Sequence, residues 1–153
     1  MEIERKFLVS EPPDEFDRHR SARIEQGYLA TVESGAEVRL RRVDDEPYLT
    51  VKRGRGEVRE EEEVELRPEQ FERLWPLTEG LRVTKTRHWI PAGDRTIELD
   101  LYEGPLEGLL TAEVEFPSER DSHAFEPPPW FGEEVTDDDR YKNEALARDG
   151  IPD

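Results

Sequence analysis

The sequence predicts a mostly β protein of the α+β class: an eight-stranded antiparallel closed β-barrel with a charged interior and a few flanking helices. The first observation is that about eight segments alternate aliphatic and ionisable residues with the two-residue period of a β-strand. The second is that short turns join most of these segments, which favours antiparallel pairing. Eight antiparallel strands can close into a barrel with distinct inner and outer faces. The 153 residues contain no internal repeat, so we expect a single domain over residues 1–153.

Five of the predicted strands lie in the first half of the chain. In the first of them, Glu2, Glu4 and Lys6 share one face. The segment 54–56 contains two glycines and is predicted to be a hairpin connection, because no Gly-Lys-Ser/Thr of a phosphate-binding loop follows it. The five strands cover residues 1–9, 21–32, 36–43, 48–53 and 57–66.

The second half contains three further strands and three helices. The first helix carries an apolar stripe at Phe71, Leu74 and Trp75, which follow the i, i+3, i+4 spacing of one helix face. The strands cover residues 81–90, 95–102 and 110–116, and the helices cover residues 68–75, a short segment from the capping box at Ser118, and residues 136–148.

The apolar stripe of the helix at 68–75 decides which face of the barrel points inward. This stripe must be buried against apolar residues. If the aliphatic residues of the strands filled the barrel, its outer surface would offer the stripe only charges. We therefore expect the aliphatic residues to point outward beneath the helices and the ionisable residues to line the interior. The ordinary arrangement, with the aliphatic residues inside, is the alternative.

The composition excludes several classes of protein. Only 33% of residues are hydrophobic and 40% are charged, which predicts a thin core. The net charge of −17 disfavours nonspecific binding to nucleic acid or to an anionic membrane. The absence of cysteine excludes disulfides and thiolate metal sites. No apolar run is long enough for a membrane span and the N-terminus lacks the apolar stretch of a signal peptide, so we expect a cytoplasmic protein.

The ionisable residues of the predicted inner face fall into acidic and basic pairs on separate strands. Pairs such as Arg39/Arg41 and Glu113/Glu115 indicate one subsite for an anion and another for a cation. Hard carboxylate oxygens suit Mg²⁺ or Mn²⁺, and Mg²⁺ commonly bridges carboxylates to phosphates. A polyphosphate with its metal fits both subsites. The acids are Glu2, Glu4, Glu61, Glu63, Glu98, Asp100, Glu113 and Glu115, and the bases are Lys6, Arg39, Arg41, Lys52, Arg59, Lys85 and Arg87.

An ordered series of motifs carries a resemblance to a known family. The motifs are Glu2-x-Glu4-x-Lys6, Val38-Arg39-Leu40-Arg41, Leu49-Thr50-Val51-Lys52, Lys85-x-Arg87, Glu98-Leu99-Asp100, Glu113-Val114-Glu115-Phe116 and Tyr141-Lys142-Asn143. In this order they resemble the CYTH domain, or triphosphate tunnel metalloenzyme, superfamily. The resemblance covers nearly the whole chain, and it implies a charged tunnel through the barrel that binds a triphosphate.

The resemblance also implies a role for each charged residue. The triphosphate would be bound by Lys6, Arg39, Arg41, Lys52, Lys85, Arg87 and Lys142. The metal would be held by Glu2, Glu4, Asp100, Glu113 and Glu115, with Glu61, Glu63 and Glu98 as supporting acids. Arginine and lysine suit phosphate oxygens because they supply several charged hydrogen-bond donors.

The implied reaction is the metal-dependent hydrolysis of inorganic triphosphate or a related triphosphate. Lys85 is the candidate general base, with Tyr28 orienting it, and a metal-activated water is the alternative. Other functions in the superfamily are adenylate cyclase and thiamine triphosphatase, and a module that only binds polyphosphate or a nucleotide is a further alternative. The predicted partner is a small-molecule triphosphate, without nucleic acid or membrane, and an exposed strand face could support a homodimer.

Overall fold

The computed structural model describes residues 3–31, 35–53 and 60–153, and it contains eight antiparallel strands within these ranges. The strands are β1 (Ile3–Leu8), β2 (Ser21–Ala30), β3 (Ala36–Val43), β4 (Glu46–Arg53), β5 (Glu60–Glu65), β6 (Arg82–Ala92), β7 (Arg95–Tyr102) and β8 (Leu110–Phe116). The helices are α1 (Pro68–Leu74), α2 (Glu119–Ala124) and α3 (Asn143–Asp149). The hairpin predicted at 54–56, and the predicted site residues Glu2 and Arg59, lie outside the described residues.

The sheet is open, so the prediction of a closed barrel is wrong. Its strand order is β1-β8-β7-β6-β2-β3-β4-β5, and within the described ranges the two end strands β1 and β5 do not pair with each other. The free edge of β1 is instead occupied by residues 132–136. Leu8 N–H donates to the Glu133 carbonyl at 2.8 Å, and Val135 N–H donates to the Lys6 carbonyl at 2.8 Å.

Gly132 shows why this segment can lie against β1. Its N–H donates to the Leu8 carbonyl at 2.6 Å, and a Cβ at this position would stand only 2.8 Å from the same oxygen. Only glycine therefore allows so close an approach of the two backbones. The other end strand, β5, is fully exposed and consists almost entirely of glutamates.

The two faces of the sheet differ in chemistry. On the face that we call the covered face, Ile97, Leu99, Val114 and Phe116 are buried with neighbouring aliphatics under the aromatic residues of segment 125–131. The opposite face, which we call the cleft face, carries the alternate residues of the same strands, including the ionisable ones. Burial of the aliphatic side chains on the covered face supplies the main stabilisation of the fold.

Helix α3 packs on the cleft face at one end of the charged region. Leu146 of α3 is buried in a cluster with Val83 and Tyr102 of the sheet. The last predicted helix covered residues 136–148, whereas α3 begins only at Asn143. The reason is local: the Asp138 carboxylate accepts a hydrogen bond from Arg140 N–H and holds a separate short 3₁₀ turn. None of the helices in the described ranges is long and apolar enough to cross a bilayer.

Candidate active site

The charged residues of the cleft face surround a cavity of about 500 Å³. The cavity is lined by Glu4, Lys6, Tyr28, Glu37, Arg39, Arg41, Lys52, Glu61, Arg87, Glu98, Glu113, Glu115, Thr136, Lys142, Asn143 and Glu144. Most of the residues that the sequence predicted for the site are among them. Lys85 and Asp100 lie beneath the cavity and do not line it, and Glu63 lies on β5 outside the lining, where it accepts a hydrogen bond from Thr50 at 3.3 Å.

One wall of the cavity is acidic. The antiparallel register sets Glu4 of β1 opposite Glu115 of β8, and Glu98 of β7 opposite Glu113 of β8. Solvent reaches Glu4, but partial desolvation, the charge of Glu113 and a hydrogen bond with Glu115 raise the pKa of Glu4 to about 7. Desolvation and the charge of Glu113 also raise the pKa of Glu98, although Arg87 opposes this shift. Desolvation and mutual repulsion therefore both disfavour the ionised carboxylates of the acidic wall.

Lys6 lies beside the acidic wall and neutralises part of it. Its Nζ is 3.5 Å from a carboxylate oxygen of Glu113, and the same Nζ donates to the Tyr141 carbonyl at 2.5 Å. The second contact ties β1 to the turn that precedes α3. Lys6 is therefore held at the junction between the acidic wall and the C-terminal segment.

The other wall, which we call the basic wall, comes from β3 and β4 and carries the cluster of cations, and Glu37 and Glu61 lie beside Lys52 there. Arg39 and Arg41 point from β3 to the same side, and Lys52 points from β4. Desolvation and the charges of Arg39 and Arg87 lower the pKa of Arg41 to about 10. Desolvation and the charge of Arg39 likewise lower the pKa of Lys52. Repulsion between the cations thus adds to desolvation, and an anion in the cavity would relieve this repulsion.

Arg39 has spare capacity to bind such an anion. Its side chain is buried, and its Nε has no hydrogen-bond partner within the described residues. Among the described residues, the carboxylate of Glu37 forms an ion pair with Arg39 at 4.0 Å. A buried guanidinium donor without a partner is costly, because water cannot replace the missing hydrogen bond. This donor is therefore available to a ligand.

A buried ionic network lies below the acidic wall. Both oxygens of Asp100 are engaged: Arg87 Nε and Nη2 donate to them at 2.8 and 2.9 Å, and Lys85 Nζ is 2.9 Å from Oδ2. Arg87 Nη1 also donates to Glu98 at 2.8 Å. Burial would raise the pKa of Asp100, but the two cations hold it well below its usual value. The sequence assigned Asp100 to the metal, and the structure places it between two cations.

Lys85, the predicted general base, is completely buried in this network. Burial first, and then the charge of Arg87, lower the pKa of Lys85 to about 8, although Asp100 opposes the shift. Lys85 is therefore protonated at pH 7 and loses its proton within the mildly alkaline range. This pKa suits a base that operates above neutral pH.

Tyr28 of β2 lines the cavity and stands at the end of the regular pairing of β2 with β3. The pairing of β2 with β3 shifts register between Tyr28 and Ala30. Tyr28 is almost fully buried, and its hydroxyl accepts a hydrogen bond of 2.9 Å from the amide of Gln26. Burial, and to a lesser extent the charge of Glu37, raise the pKa of Tyr28 to about 12, against the lowering effect of Arg39. The hydroxyl is therefore neutral at physiological pH.

The C-terminal segment contributes Lys142, Asn143 and Glu144 to the cavity lining. Lys142 precedes the first turn of α3, is largely exposed and pairs with Asp139 at 3.0 Å. Asn143 accepts a hydrogen bond from the Tyr102 hydroxyl at 2.7 Å, which fixes the start of α3 over the sheet. Lys142 is therefore at the mouth of the cavity, and its ion pair must rearrange before it can reach a ligand deep inside.

Sequence reasoning missed several lining and supporting residues. Glu37 and Thr136 line the cavity but belong to no motif with evident chemistry. Gln26 is fully buried beneath the basic wall, and it shares a strand face with Tyr28, so the alternation of β2 could have identified it.

The acidic wall suits a hard cation by its chemistry. The described residues hold no ready-made cluster of three or more His, Cys, Asp or Glu side chains that could bind a metal ion. However, Glu4, Glu98, Glu113 and Glu115 supply carboxylate oxygens from three neighbouring strands, and after desolvation their mutual repulsion contributes to the raised pKa of Glu4. Carboxylates of this kind are the ligands that Mg²⁺ and Mn²⁺ accept.

Comparisons with known proteins agree with this geometry. Residues 1–146 match the family model of the CYTH domain. An inorganic triphosphatase of Nitrosomonas europaea is 50% identical over 148 residues, which cover 95% of this chain and 96% of that protein. An inorganic triphosphatase of Acetivibrio thermocellus is 37% identical over 153 residues, which cover 96% of this chain and 93% of that protein.

A solved structure extends these comparisons to the whole fold. The crystal structure of the inorganic triphosphatase NE1496 superposes with a TM-score of 0.80 at 47% identity, covering 100% of this chain and 97% of that chain. The family match spans nearly all of the sequence, and the two relatives are similar over almost their full lengths. The chain therefore belongs to the CYTH domain family.

Proposed function

We propose that this protein hydrolyses inorganic triphosphate to diphosphate and phosphate, with Mg²⁺ or Mn²⁺ as the metal. The observation that carries the proposal is the opposition of a basic and an acidic wall across one cavity of about 500 Å³. Two relatives with 50% and 37% identity bear the name inorganic triphosphatase, which supports the same activity. Family membership implies a divalent metal, and the carboxylate ligands favour Mg²⁺ or Mn²⁺ over softer ions.

The basic wall binds the triphosphate in this proposal. Arg39 supplies a buried, unpartnered donor, and Arg41 and Lys52 add charge whose mutual repulsion the anion relieves. Lys6 and Lys142 reach the ligand from the side of β1 and α3. Guanidinium groups suit this role because they form paired hydrogen bonds with phosphate oxygens.

The acidic wall holds the metal in this proposal. Glu4, Glu113 and Glu115 are the ligands, with Glu98 in support; Glu61 lines the same cavity, and Glu2 is assigned from the resemblance alone. When bound, the metal neutralises charge on the phosphate oxygens. We assign Asp100 to the support of Arg87 and Lys85 in place of the metal-binding role that the sequence suggested, because both of its oxygens already bind cations.

Hydrolysis needs a water molecule in line with the bond that breaks. The oxygen of this water forms a bond to the terminal phosphorus, the bridging P–O bond breaks, and diphosphate leaves. The water's proton goes to Lys85, whose lowered pKa makes the neutral amine accessible. Because Lys85 lies beneath the cavity lining, this transfer requires a relay between the water and the buried amine. Positioning and charge neutralisation supply most of the catalysis in such reactions.

The test is phosphate release by the purified protein from tripolyphosphate, ATP and thiamine triphosphate, with Mg²⁺, with Mn²⁺ and with a chelator. We expect fast release from tripolyphosphate that requires the metal. Release from ATP or thiamine triphosphate with little from tripolyphosphate would move the assignment to an organic triphosphate. Formation of cyclic AMP would indicate a cyclase, and tight binding without release from any substrate would indicate a binding module.

A further inference from the structure

Gln26 occupies a position that the reaction described above does not use. It lies on the same face of β2 as Tyr28, stands directly opposite Arg41 of β3 and is completely buried. Its Oε1 accepts hydrogen bonds from Arg41 Nε at 3.2 Å and from Arg41 Nη2 at 3.0 Å. Its Nε2 donates to the Tyr28 hydroxyl at 2.9 Å. One amide therefore connects a phosphate-binding cation to the tyrosine of the cavity lining.

The chemistry of these groups fixes the direction of every hydrogen bond in this chain. A guanidinium group can only donate, so the amide oxygen of Gln26 must face Arg41. The amide nitrogen must then face Tyr28, and it can only donate. The Tyr28 oxygen is therefore an acceptor for Gln26, and its own O–H must point to another partner. Tyr28 and Glu37 both line the cavity, and the charge of Glu37 acts on the Tyr28 hydroxyl.

We infer that Gln26 is a positioning residue for catalysis, which makes Tyr28 a hydrogen-bond donor directed into the cavity and couples that direction to Arg41. This inference rests on the proposed function, since it takes the cavity as the place of reaction. Tyr28 then donates its O–H to a phosphate oxygen or to the attacking water's oxygen. The burial of Tyr28, which keeps its hydroxyl protonated at neutral pH, agrees with a donor role.

Two substitutions separate the donor function of Gln26 from its contact with Arg41. Gln26→Glu keeps an acceptor for Arg41 but replaces the donor that faces Tyr28 by a second acceptor. The Tyr28 proton then turns toward position 26 and away from the cavity. Gln26→Met keeps the side-chain volume but removes both functions. Gln70→Glu is the matched control, because Gln70 acts through its oxygen as an acceptor from Arg67 N–H in the capping box of α1, outside the cavity lining.

The experiment is a double-mutant cycle in steady-state kinetics with tripolyphosphate and Mg²⁺. Gln26→Glu, Gln26→Met, Tyr28→Phe and both double variants are compared with the wild type. We expect each Gln26 variant to lower kcat about tenfold or more when Tyr28 is present, since one hydrogen bond is misdirected. In the Tyr28→Phe background, Gln26→Glu should alter kcat by less than about twofold, because no hydroxyl is left to orient, whereas Gln26→Met still removes the contact with Arg41. The negative charge introduced by Gln26→Glu should change KM, and this change should be the same with Tyr28 as with Phe at position 28.

The outcomes distinguish this inference from the proposed function. A wild-type protein that releases no phosphate overturns both. An active wild type with full kcat in Tyr28→Phe, or with equal effects of Gln26→Glu in both backgrounds, overturns the role of Gln26 alone. A lower kcat in Gln26→Met with an unchanged kcat in Gln26→Glu would show that Gln26 only supports Arg41. Melting temperatures identify variants that do not fold, and Gln26→Glu alone then decides, because its ion pair with Arg41 preserves the local contacts.

Discussion

Replacement of Asp100 by asparagine tests whether this carboxylate supports the site or binds the metal. Asp100 is completely buried and receives three short contacts of 2.8 to 2.9 Å from Arg87 and Lys85. Asparagine has the same shape but no charge, and its amide nitrogen cannot accept a hydrogen bond. In Asp100→Asn, two buried cations therefore lose their shared counter-ion, and only Glu98 remains as a carboxylate partner of Arg87.

The expected loss of stability follows from the burial of this network. Removal of one partner from a buried ion pair typically costs about 3–5 kcal/mol. Lys85 limits the cost by releasing its proton, because burial already lowers its pKa to about 8. We therefore expect a loss near the lower end, about 3 kcal/mol. In a protein of 153 residues this lowers the melting temperature by roughly 6–12 °C.

The assay is thermal unfolding with a chelator at pH 7, so that no metal contributes to stability. Glu115→Gln is the matched control: Glu115 belongs to the acidic wall, where its hydrogen bond and charge raise the pKa of Glu4. Loss of that negative charge should leave stability unchanged or raise it. The two substitutions therefore shift stability in opposite directions, although both exchange an acid for its amide.

The pH dependence supplies a second check on Asp100. Its pKa in the folded protein is depressed, so its contribution is fully present above its unfolded value of about 4. The contribution is lost as the pH falls through the lower folded value, and the difference between wild type and Asp100→Asn should shrink there. If Asp100→Asn melts within about 2 °C of the wild type in chelator and loses only the stabilisation by Mg²⁺, the supporting role is refuted and the metal-ligand role stands.

The remaining predictions concern turnover and metal binding. Glu4→Gln and Arg39→Ala should each lower phosphate release from tripolyphosphate by about 100-fold or more while the melting temperature stays near wild type; full activity in either contradicts the site assignment. The pKa of Glu4 is raised to about 7, so protons compete with the metal for this carboxylate below neutral pH. The Mg²⁺ dissociation constant, measured by calorimetry, should therefore rise about tenfold from pH 8 to pH 6. A constant value over this range would exclude Glu4 as a ligand. The turnover number should rise as the pH passes through 8 and Lys85 loses its proton. Lys85→Ala should lose this rise in the pH–rate profile and most of the activity. A Lys85→Ala variant that keeps both the rise and the activity would reject Lys85 as the base.

The division of the sheet into two faces could be predicted from the sequence, because alternation follows directly from strand geometry. In β8, Glu113 and Glu115 occupy the cleft face, while Ala112, Val114 and Phe116 are buried on the covered face. Antiparallel pairing of neighbouring strands then places acids that share a face close together. The residues that line the cavity therefore agree closely with the residues selected from the alternation and the motifs.

Closure of the sheet could not be predicted in the same way. The alternation of β1 and β5 is the same whether or not these strands pair with each other. The edge of β1 is instead hydrogen-bonded to residues 132–136, which show no strand-like alternation, and Gly132 permits this approach. Alternation assigns residues to faces, whereas the partner of an edge strand depends on contacts between segments that are distant in the chain.

The sequence also did not allow us to predict which charges on a face form pairs. Asp100, Glu113 and Glu98 share one face and look equivalent in the sequence. The register places Asp100 opposite Arg87, which leaves it neutralised, whereas Glu98 and Glu113 face each other and repel. Assignment to support or to metal binding therefore depends on register and burial, which a list of motifs does not contain.

The two walls also explain how a protein with a net charge of −17 can hold a polyanion. On the basic wall, desolvation and then repulsion between cations lower the pKa values of Arg41 and Lys52. On the acidic wall, desolvation and then repulsion between carboxylates raise the pKa of Glu4. A triphosphate alone would relieve the repulsion on the basic wall and increase the repulsion on the acidic wall, and a metal ion alone would do the reverse. Only the two together neutralise both walls, so each must increase the affinity of the cavity for the other by the same factor.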